Sequence, residues 1–177
     1  MVRNVHSRVI TADAESVGRL LDSLASDDDR LWPVHRWPAM RFDRPLGVGA
    51  SGGHGPIRYI CVKYVPGREV VFRFRRPLGF DGTHGFLVEE VDATHTRLTH
   101  ELVMRTHGAA RFSWPLMWRW LHDAALEDSL DRAEADLVPG TPPKSRHSRY
   151  VRFLRGRVHS AEVSGRRSAA GGAVPVR

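Results

Sequence analysis

The chain has 177 residues, a formal net charge of +7, and 41% hydrophobic residues. This length predicts one domain, and the composition is that of a globular protein rather than a disordered or membrane-spanning one. No apolar run reaches the roughly 20 residues of a membrane helix, and the N-terminus has no apolar run of signal-peptide length. Cys61 is the only cysteine, which excludes an intrachain disulfide and a thiolate metal cluster. We therefore expect a cytoplasmic protein.

The positive charge is concentrated in the C-terminal part of the chain. Residues 1–138 carry 18 basic and 19 acidic residues, a net charge of −1, whereas residues 139–177 carry 9 basic and 1 acidic residue, a net charge of +8. An argument from charge for nucleic acid therefore applies to the tail alone, and no DNA or RNA partner is expected for the folded part. We expect a folded domain over residues 1–140 and a basic, disordered tail over residues 141–177.

The N-terminal part predicts one short strand followed by two short helices. The segment Val5–Ile10 has strand character, and a helix is expected to begin at Asp13 or Ala14, where an acidic residue favours the positive end of a helix. A second short helical turn is expected near Leu31. The following stretch, Trp32–Pro56, is rich in proline and glycine, which predicts a loop with one strand near residues 40–42.

Four strands with hairpin spacing are predicted next, over Ile57–Val65, Glu69–Arg75, His84–Val91 and Thr96–Thr106. In the last of them, buried-type residues alternate with polar ones. This alternation predicts an antiparallel sheet with one face buried and the other in water.

A long helix is predicted to close the domain. Ser113 can cap it, Pro115 suits its first turn, and the pattern runs to Leu137 before Pro139 and Gly140 end it. Its apolar stripe contains His122, Leu126, Leu130, Ala133 and Leu137. An antiparallel meander with one apolar face needs a cover, and only this helix is long enough to provide it. The expected fold class is α+β.

Three segments resemble the START-like, or SRPBCC, superfamily, and within it the polyketide cyclase/dehydrase-type branch. They are VITADAESVGRLL after the first strand, KYVPGREVVFRF across a hairpin, and THTRLTHELVMR before the final helix. The resemblance covers about Asn4 to Leu137. It implies the helix-grip fold, in which a curved antiparallel sheet wraps around a long C-terminal helix and leaves a hydrophobic ligand cavity. It does not fix the function, because members include carriers, receptors and enzymes.

The cavity-lining candidates come from the inward faces of the strands and the apolar stripe of the helix. They are Tyr59, Phe72, Phe74, His84, Phe86, Val88, Leu98, His100, Leu102, Trp118, His122 and Leu126. Three histidines in this set can orient a ligand carbonyl or act as acid and base, although a lone histidine with a hydrogen bond is common in a core. The aromatic members can equally be ordinary core residues.

Three functions remain open at this stage. The first is binding of a small hydrophobic molecule such as a lipid, polyketide or related metabolite. The second is a cyclase or dehydratase that uses the histidines with Glu90 or Tyr59, but no catalytic residue is assigned. The third is contact of the basic tail, which can form an amphipathic helix near residues 150–158, with an anionic membrane or nucleic acid.

No cofactor is expected, and no metal site, because no pair of histidines has the helical i, i+4 spacing. The oligomeric state is left open.

Overall fold

The computed structural model describes residues 1–157, in which one seven-stranded antiparallel sheet packs against helices. The strands are β1 (Val2–Ile10), β2 (Arg41–Phe42), β3 (Ser51–His54), β4 (Ile57–Val65), β5 (Glu69–Arg76), β6 (Phe80–Asp92) and β7 (His95–Thr106). Their order across the sheet is β1-β7-β6-β5-β4-β3-β2. All consecutive strands from β2 to β7 are neighbours, and β1 pairs with the distant β7, so the sheet is a meander closed on one side by the first strand.

The four strands predicted for the meander are confirmed, with β6 beginning earlier than expected. Strand β7 shows the alternation most clearly, since Leu98, His100, Leu102 and Met104 are all buried. The sheet curves around the final helix, which gives the helix-grip α+β fold. Two register shifts in β4 contribute to the curvature, because a bulge bends and twists its strand.

Helix α1 (Ala14–Asp22) begins where the sequence predicts. The carboxylate of Asp13 accepts a hydrogen bond from the backbone N–H of Ser16 at 2.7 Å and so caps the helix. The second short helix expected near Leu31 is not formed, because residues 23–37 make turns and bends. The carboxylate of Asp29 accepts backbone N–H groups on both sides of it, among them those of Leu31 and Trp32, and these bonds favour a turn over a helix.

Strand β3 is an addition to the expected elements. The sequence analysis placed this glycine-rich stretch in a loop, but its glycines are what allow the pairing. A Cβ atom on Gly52 would lie 1.9 Å from the carbonyl oxygen of Arg41, and one on Gly53 would lie 2.0 Å from that of Ile57. The strand is hidden from sequence analysis because glycine has a low strand propensity.

The closing helix has three consecutive parts, α2 (Ala110–Ser113), a π-helical turn (Trp114–Trp118) and α3 (Arg119–Leu137). The expectation that Ser113 caps this helix is wrong, because helical structure begins three residues earlier and the Ser113 side chain makes no capping bond. Pro115 has no N–H and its ring crowds the carbonyl of the preceding turn, and a wider turn accommodates both effects. The N–H of Arg119 accordingly bonds to the carbonyl of Trp114, five residues earlier.

The core lies between the sheet and this helix. The main buried cluster contains Tyr59, Phe72, Leu98 and Leu130 with residues of α1 and of the segment from Leu31 to Met40. A smaller cluster joins β6 and β7 to the start of the closing helix around Phe80, Leu102, Met104, Ala110 and Trp114. In residues 1–157, no helix is both long enough and apolar enough to cross a membrane.

The segment after α3 packs against the domain. Residues 149–157 are helical, and Val151 and Leu154 are 6% and 8% exposed, with Leu154 inside the main cluster. The segment that was expected to be a disordered tail therefore includes two buried residues, Val151 and Leu154. That residues 1–140 form the folding unit stays a prediction, and residues 158–177, with Val158, lie outside the described residues.

A buried carboxylate in α3 anchors this segment. Asp128 is 3% exposed and accepts hydrogen bonds from the Arg36 guanidinium and the Trp37 indole, each at 2.8 Å. The hydroxyl of Ser145 donates to the same carboxylate at 2.7 Å, and His147 Nε2 lies 2.9 Å from it. The C-terminal segment thus supplies one hydrogen bond, from Ser145, that compensates the burial of this charge.

Candidate functional site

A cavity of about 90 Å³ lies between the inner face of the sheet and the closing helix. Its walls come from β5, β6, β7, the π-helical turn, α3, and the chain around residues 32–40 and 54–57. The lining is mostly aromatic and aliphatic, with four histidines as its polar groups. These are His54, His84, His100 and His122.

The structure places nine of the twelve cavity candidates in the lining of this cavity. These nine are Phe72, Phe74, His84, Phe86, His100, Leu102, Trp118, His122 and Leu126. The other three, Tyr59, Val88 and Leu98, are buried in the core but do not line the cavity. That any of these residues binds a ligand stays a prediction. Sequence reasoning missed the lining residues His54 and Trp37, because both fall in the stretch that predicted only a loop.

Strand register brings two of the histidines together. In the β6–β7 ladder His84 lies opposite Leu102, and Phe86 lies opposite His100, so the two imidazoles are diagonal neighbours on the inner face. Nδ1 of His84 lies 3.3 Å from Nε2 of His100, within hydrogen-bond distance. The outer nitrogens of this pair, Nε2 of His84 and Nδ1 of His100, are buried and have no partner among residues 1–157.

Burial sets the charge of the cavity histidines. It lowers the pKa of His84 and His100 well below the usual value of 6.5, and nearby His122 lowers both further. Burial also lowers the pKa of His54 to about 3. These side chains are therefore neutral at physiological pH, and each offers one N–H donor and one nitrogen acceptor. Such a cavity suits a neutral ligand that carries a hydroxyl or carbonyl group.

The two residues considered as catalytic partners occupy different places. Glu90 is exposed on β6, outside the cavity, so it cannot act with the cavity histidines. The ring of Tyr59 stands edge-on to His84 with ring centroids 4.8 Å apart. Its hydroxyl is buried without a partner in the described residues, and burial raises the pKa of Tyr59 well above 10. It is therefore a neutral residue behind the cavity wall.

A polar layer between β1 and α3 adjoins the cavity, and sequence reasoning missed it. Asn4, His6 and Arg8 occupy alternate positions of β1 and all face the helix. Asp123 accepts the Asn4 amide at 2.9 Å, and Glu127 lies 2.7 Å from His6 Nδ1. The signal was present as alternating polar residues in β1 and acidic residues at helical spacing in α3. Nothing in the sequence joins the two elements.

The carboxylates control the charge of His6. Burial alone would lower the pKa of His6, but hydrogen bonds with Asp123 and Glu127 raise it to about 9. Burial works in the opposite direction on Asp123, yet the adjoining His122, His6 and Asn4 hold the pKa of that carboxyl well below its usual value. His6 and its neighbours therefore form an ion-pair network at neutral pH.

One group of side chains has the donors of a metal site. Donor atoms of His6, His122 and Asp123 all lie within 4.8 Å of one another. The sequence predicted no metal site because no pair of histidines has the helical i, i+4 spacing. Here the donors come from β1 and α3, two elements that this spacing rule does not relate.

Comparisons with known proteins support the fold. No family model matches the sequence, and no curated protein matches it. Solved structures do match. A START superfamily protein from Mycobacterium smegmatis has a TM-score of 0.54 at 9% identity, covering 78% of this chain and 99% of its own. CalU16 from Micromonospora echinospora has a TM-score of 0.56 at 15% identity, covering 92% and 86%.

A third structure is similar to the same extent. The Aha1 dimer from Colwellia psychrerythraea has a TM-score of 0.53 at 18% identity, covering 80% of this chain and 100% of that chain. At such identities a structural match shows the fold alone. The chain therefore has a START-like helix-grip fold.

Proposed function

We propose that the protein binds a compact hydrophobic molecule in the cavity between the sheet and the closing helix. The observation that carries the proposal is a set of buried imidazole nitrogens without partners, on His84 and His100, at the wall of an otherwise apolar cavity. An unpaired buried polar group costs about 1–3 kcal/mol, and a ligand hydroxyl or carbonyl would remove that cost.

The size of the cavity narrows the ligand class. One water needs roughly 10–15 Å³ of such space, so about 90 Å³ accommodates on the order of six to nine atoms of that size. A single substituted ring fits this volume, whereas a long acyl chain does not without movement of the walls. Among the ligands expected from the sequence, a small polyketide-like aromatic is therefore favoured over a lipid. The resemblance to the polyketide cyclase/dehydrase-type branch supports the same class.

The test uses the tryptophans of the cavity wall. The purified full chain is titrated with 4-methylphenol, a single hydroxylated ring, and with palmitate, and tryptophan fluorescence is followed. We expect saturable binding of 4-methylphenol with one site per chain, and weakening of at least tenfold in His100→Leu. The control is His95→Gln, a half-exposed histidine outside the cavity. Absence of saturable binding by any hydroxylated ring compound, together with no co-purified ligand in native mass spectrometry, would overturn the proposal.

A second candidate function is acid–base catalysis in the same cavity. The observation that favours it is the 3.3 Å approach of His84 Nδ1 to His100 Nε2, which brings two ionisable groups within hydrogen-bond reach. The lowered pKa values make both imidazoles weak bases in the empty cavity. The pair is therefore better suited to orient a ligand than to remove a proton from it, and we rank catalysis second.

Catalysis has its own readout. A small 1,3-diketone is incubated with the protein in D₂O, and deuterium incorporation between the carbonyls is followed by NMR. A catalytic pair would accelerate exchange over buffer, and His84→Gln would abolish the acceleration. Exchange at the buffer rate in the presence of bound diketone would leave binding as the function of the cavity.

A third candidate, peripheral contact with an anionic membrane, has one observation in its favour. An exposed apolar stripe runs along the closing helix and the C-terminal helix. It consists of Phe112, Leu116, Trp120, Tyr150 and Phe153. The two helices are joined there, since the Tyr150 hydroxyl donates to the carbonyl of Leu116 and its ring lies 6.0 Å from that of Trp120. Exposed arginines, among them Arg149 and Arg152, flank the stripe, as in interfacial helices.

Vesicle sedimentation tests this contact. The full chain is mixed with phosphatidylcholine vesicles with and without phosphatidylserine, and we expect binding only to the anionic vesicles, weakened by salt. Leu116→Ser should reduce binding several-fold, whereas Val48→Ser, at an equally exposed site away from the stripe, should not. Binding to a nucleic-acid duplex but not to vesicles would contradict a membrane role for the stripe.

A further inference from the structure

We propose that His6, His122 and Asp123 bind a divalent transition-metal ion with the ligand preferences of zinc. The site lies where the polar layer between β1 and α3 meets the cavity wall, since His122 belongs to both. Two imidazoles and one carboxylate are the donors that zinc and its neighbours prefer, whereas magnesium and calcium require oxygen ligands.

The distances fit a single ion. Oδ1 of Asp123 lies 3.2 Å from Nε2 of His6 and 3.7 Å from Nδ1 of His122. Two ligands about 2.1 Å from a tetrahedral zinc ion are roughly 3.4 Å apart, between these two values. No two of the three donors are more than 4.8 Å apart. Side-chain movements of about 1 Å would therefore bring all three donor atoms to ligand distance from one ion.

The next layer of contacts holds the ligands in the required orientation. Nδ1 of His6 lies 2.7 Å from Oε1 of Glu127, which leaves Nε2 directed at the site. Oε2 of the same glutamate accepts a hydrogen bond from Arg8 at 3.1 Å. A carboxylate behind a ligand histidine is the usual way in which proteins fix the tautomer and the ring plane of a metal ligand. The other oxygen of Asp123 faces Arg119 at 3.6 Å, whereas Oδ1 accepts the Asn4 amide and faces both histidines, so Oδ1 is the oxygen that would bind the ion.

An ion pair without metal explains only part of the cluster. A charged His6 between Asp123 and Glu127 satisfies both nitrogens of His6. It leaves both ring nitrogens of His122 and the Oδ1 atom of Asn4 buried without a partner among residues 1–157. A metal ion bound by His122 Nδ1 gives one of these atoms a partner. Rotation of the Asn4 amide, which exchanges its oxygen and nitrogen, gives the ion a fourth ligand.

The site also has the rigidity that metal selection needs. Its residues lie in the middle of a strand and in the first two turns of α3, and neither element is a loop. The strand is held over its whole length by pairing with β7. The ligands are therefore fixed by the fold before any ion binds, which reduces the entropy lost on binding.

The experiment uses the full chain without a histidine tag. The protein is stripped with EDTA, dialysed and titrated with Zn²⁺ by calorimetry, and Co²⁺ is added in parallel to read the visible absorption of a bound ion. We expect one high-affinity ion per chain, with the intense absorption of four-coordinate cobalt. His122→Leu and Asp123→Asn should each weaken Zn²⁺ binding at least a hundredfold, and Glu127→Gln, behind the ligand, about tenfold.

Matched controls separate this site from surface histidines. The half-exposed His95 pairs with Asp92 and the exposed His107 with Asp81, so His95→Gln and His107→Gln should leave the high-affinity binding unchanged. Wild-type protein that binds no Zn²⁺ more tightly than the triple variant His6→Gln/His122→Leu/Asp123→Asn would overturn the proposal. If a ligand variant does not fold, the wild-type stoichiometry and the cobalt spectrum still test the proposal. A six-coordinate, weakly absorbing cobalt ion would contradict the proposed site.

Discussion

The buried position of Leu154 makes a sharp test of how the C-terminal segment packs. Leu154→Ala removes three carbons from a side chain that is 8% exposed and belongs to the main core cluster. At about 0.8 kcal/mol for each buried carbon, the lost transfer free energy is about 2 kcal/mol, and the space left behind adds to it. We expect a loss of about 2–3 kcal/mol in the free energy of unfolding, measured by urea denaturation followed by circular dichroism.

The neighbouring residue provides a matched control. Phe153 is 61% exposed, so Phe153→Ala should change the free energy of unfolding by less than about 0.5 kcal/mol. Truncation after Gly140 removes Leu154 together with Ser145, one of the hydrogen-bond partners of Asp128, and should destabilise at least as much as Leu154→Ala. If Leu154→Ala and the truncation both unfold at the wild-type urea concentration, the segment does not pack on the domain and residues 1–140 are the complete folding unit.

Three further changes test the interior. Burial lowers the pKa of His84, so below pH 6.5 the unfolded chain binds a proton that the folded protein does not, and the free energy of unfolding falls as the pH falls. His84→Phe should reduce the slope of the free energy of unfolding against pH in this range by about 1.4 kcal/mol per pH unit. Equal slopes for the wild type and the variant would contradict this prediction. Gly18→Ala would place a Cβ atom 2.5 Å from the carbonyl oxygen of Gly67. We expect thermal melting to show a net loss of stability of roughly 1–3 kcal/mol. A gain of stability would mean that the helix preference for alanine, ~1 kcal/mol, outweighs the clash. Asp128→Asn should lower the free energy of unfolding, measured by chemical denaturation, by about 1–3 kcal/mol. The control Asp136→Asn, at an exposed position, should lower it by less than ~1 kcal/mol. Equal losses would show that the charge of the buried carboxylate does not contribute to stability.

Local pattern was sufficient to predict most of the sheet. Alternation in Thr96–Thr106 predicted which side of β7 is buried. Alternation in the two predicted strands His84–Val91 and Thr96–Thr106 also placed His84 and His100 on the faces that line one cavity. The apolar stripe of the final helix likewise placed His122 and Leu126 in the cavity wall. In these elements the residues that alternate or repeat in the sequence are the ones whose burial stabilises the fold, so the periodicity predicts which side chains face the interior.

The remaining features depend on partners that are distant in sequence. Strand β3 exists because glycines allow a close backbone approach, which no hydrophobic pattern reports. Helix α3 buries Asp128 and Asp131 as well as leucines, so it has no clear polar face from which its orientation could be read. The pairing of His6 with Asp123 joins residues 117 positions apart. A second helix near Leu31 was wrongly expected because the sequence does not show that the Asp29 carboxylate is occupied by backbone N–H groups.

The π-helical turn at Trp114–Trp118 aligns three cavity rings that an ordinary helix would spread apart. In an α-helix, positions eight residues apart are rotated by about 80° relative to each other. One wide turn of roughly 4.4 residues reduces the rotation between Trp114 and His122 to about 10°. Trp114, Trp118 and His122 accordingly all line the cavity, and the rings of Trp114 and His122 are 5.8 Å apart. The extra residue in this turn thus brings Trp114 and His122 to the same angular position on the helix. Deletion of one residue there would rotate Trp114 away from the face of the helix on which His122 lies.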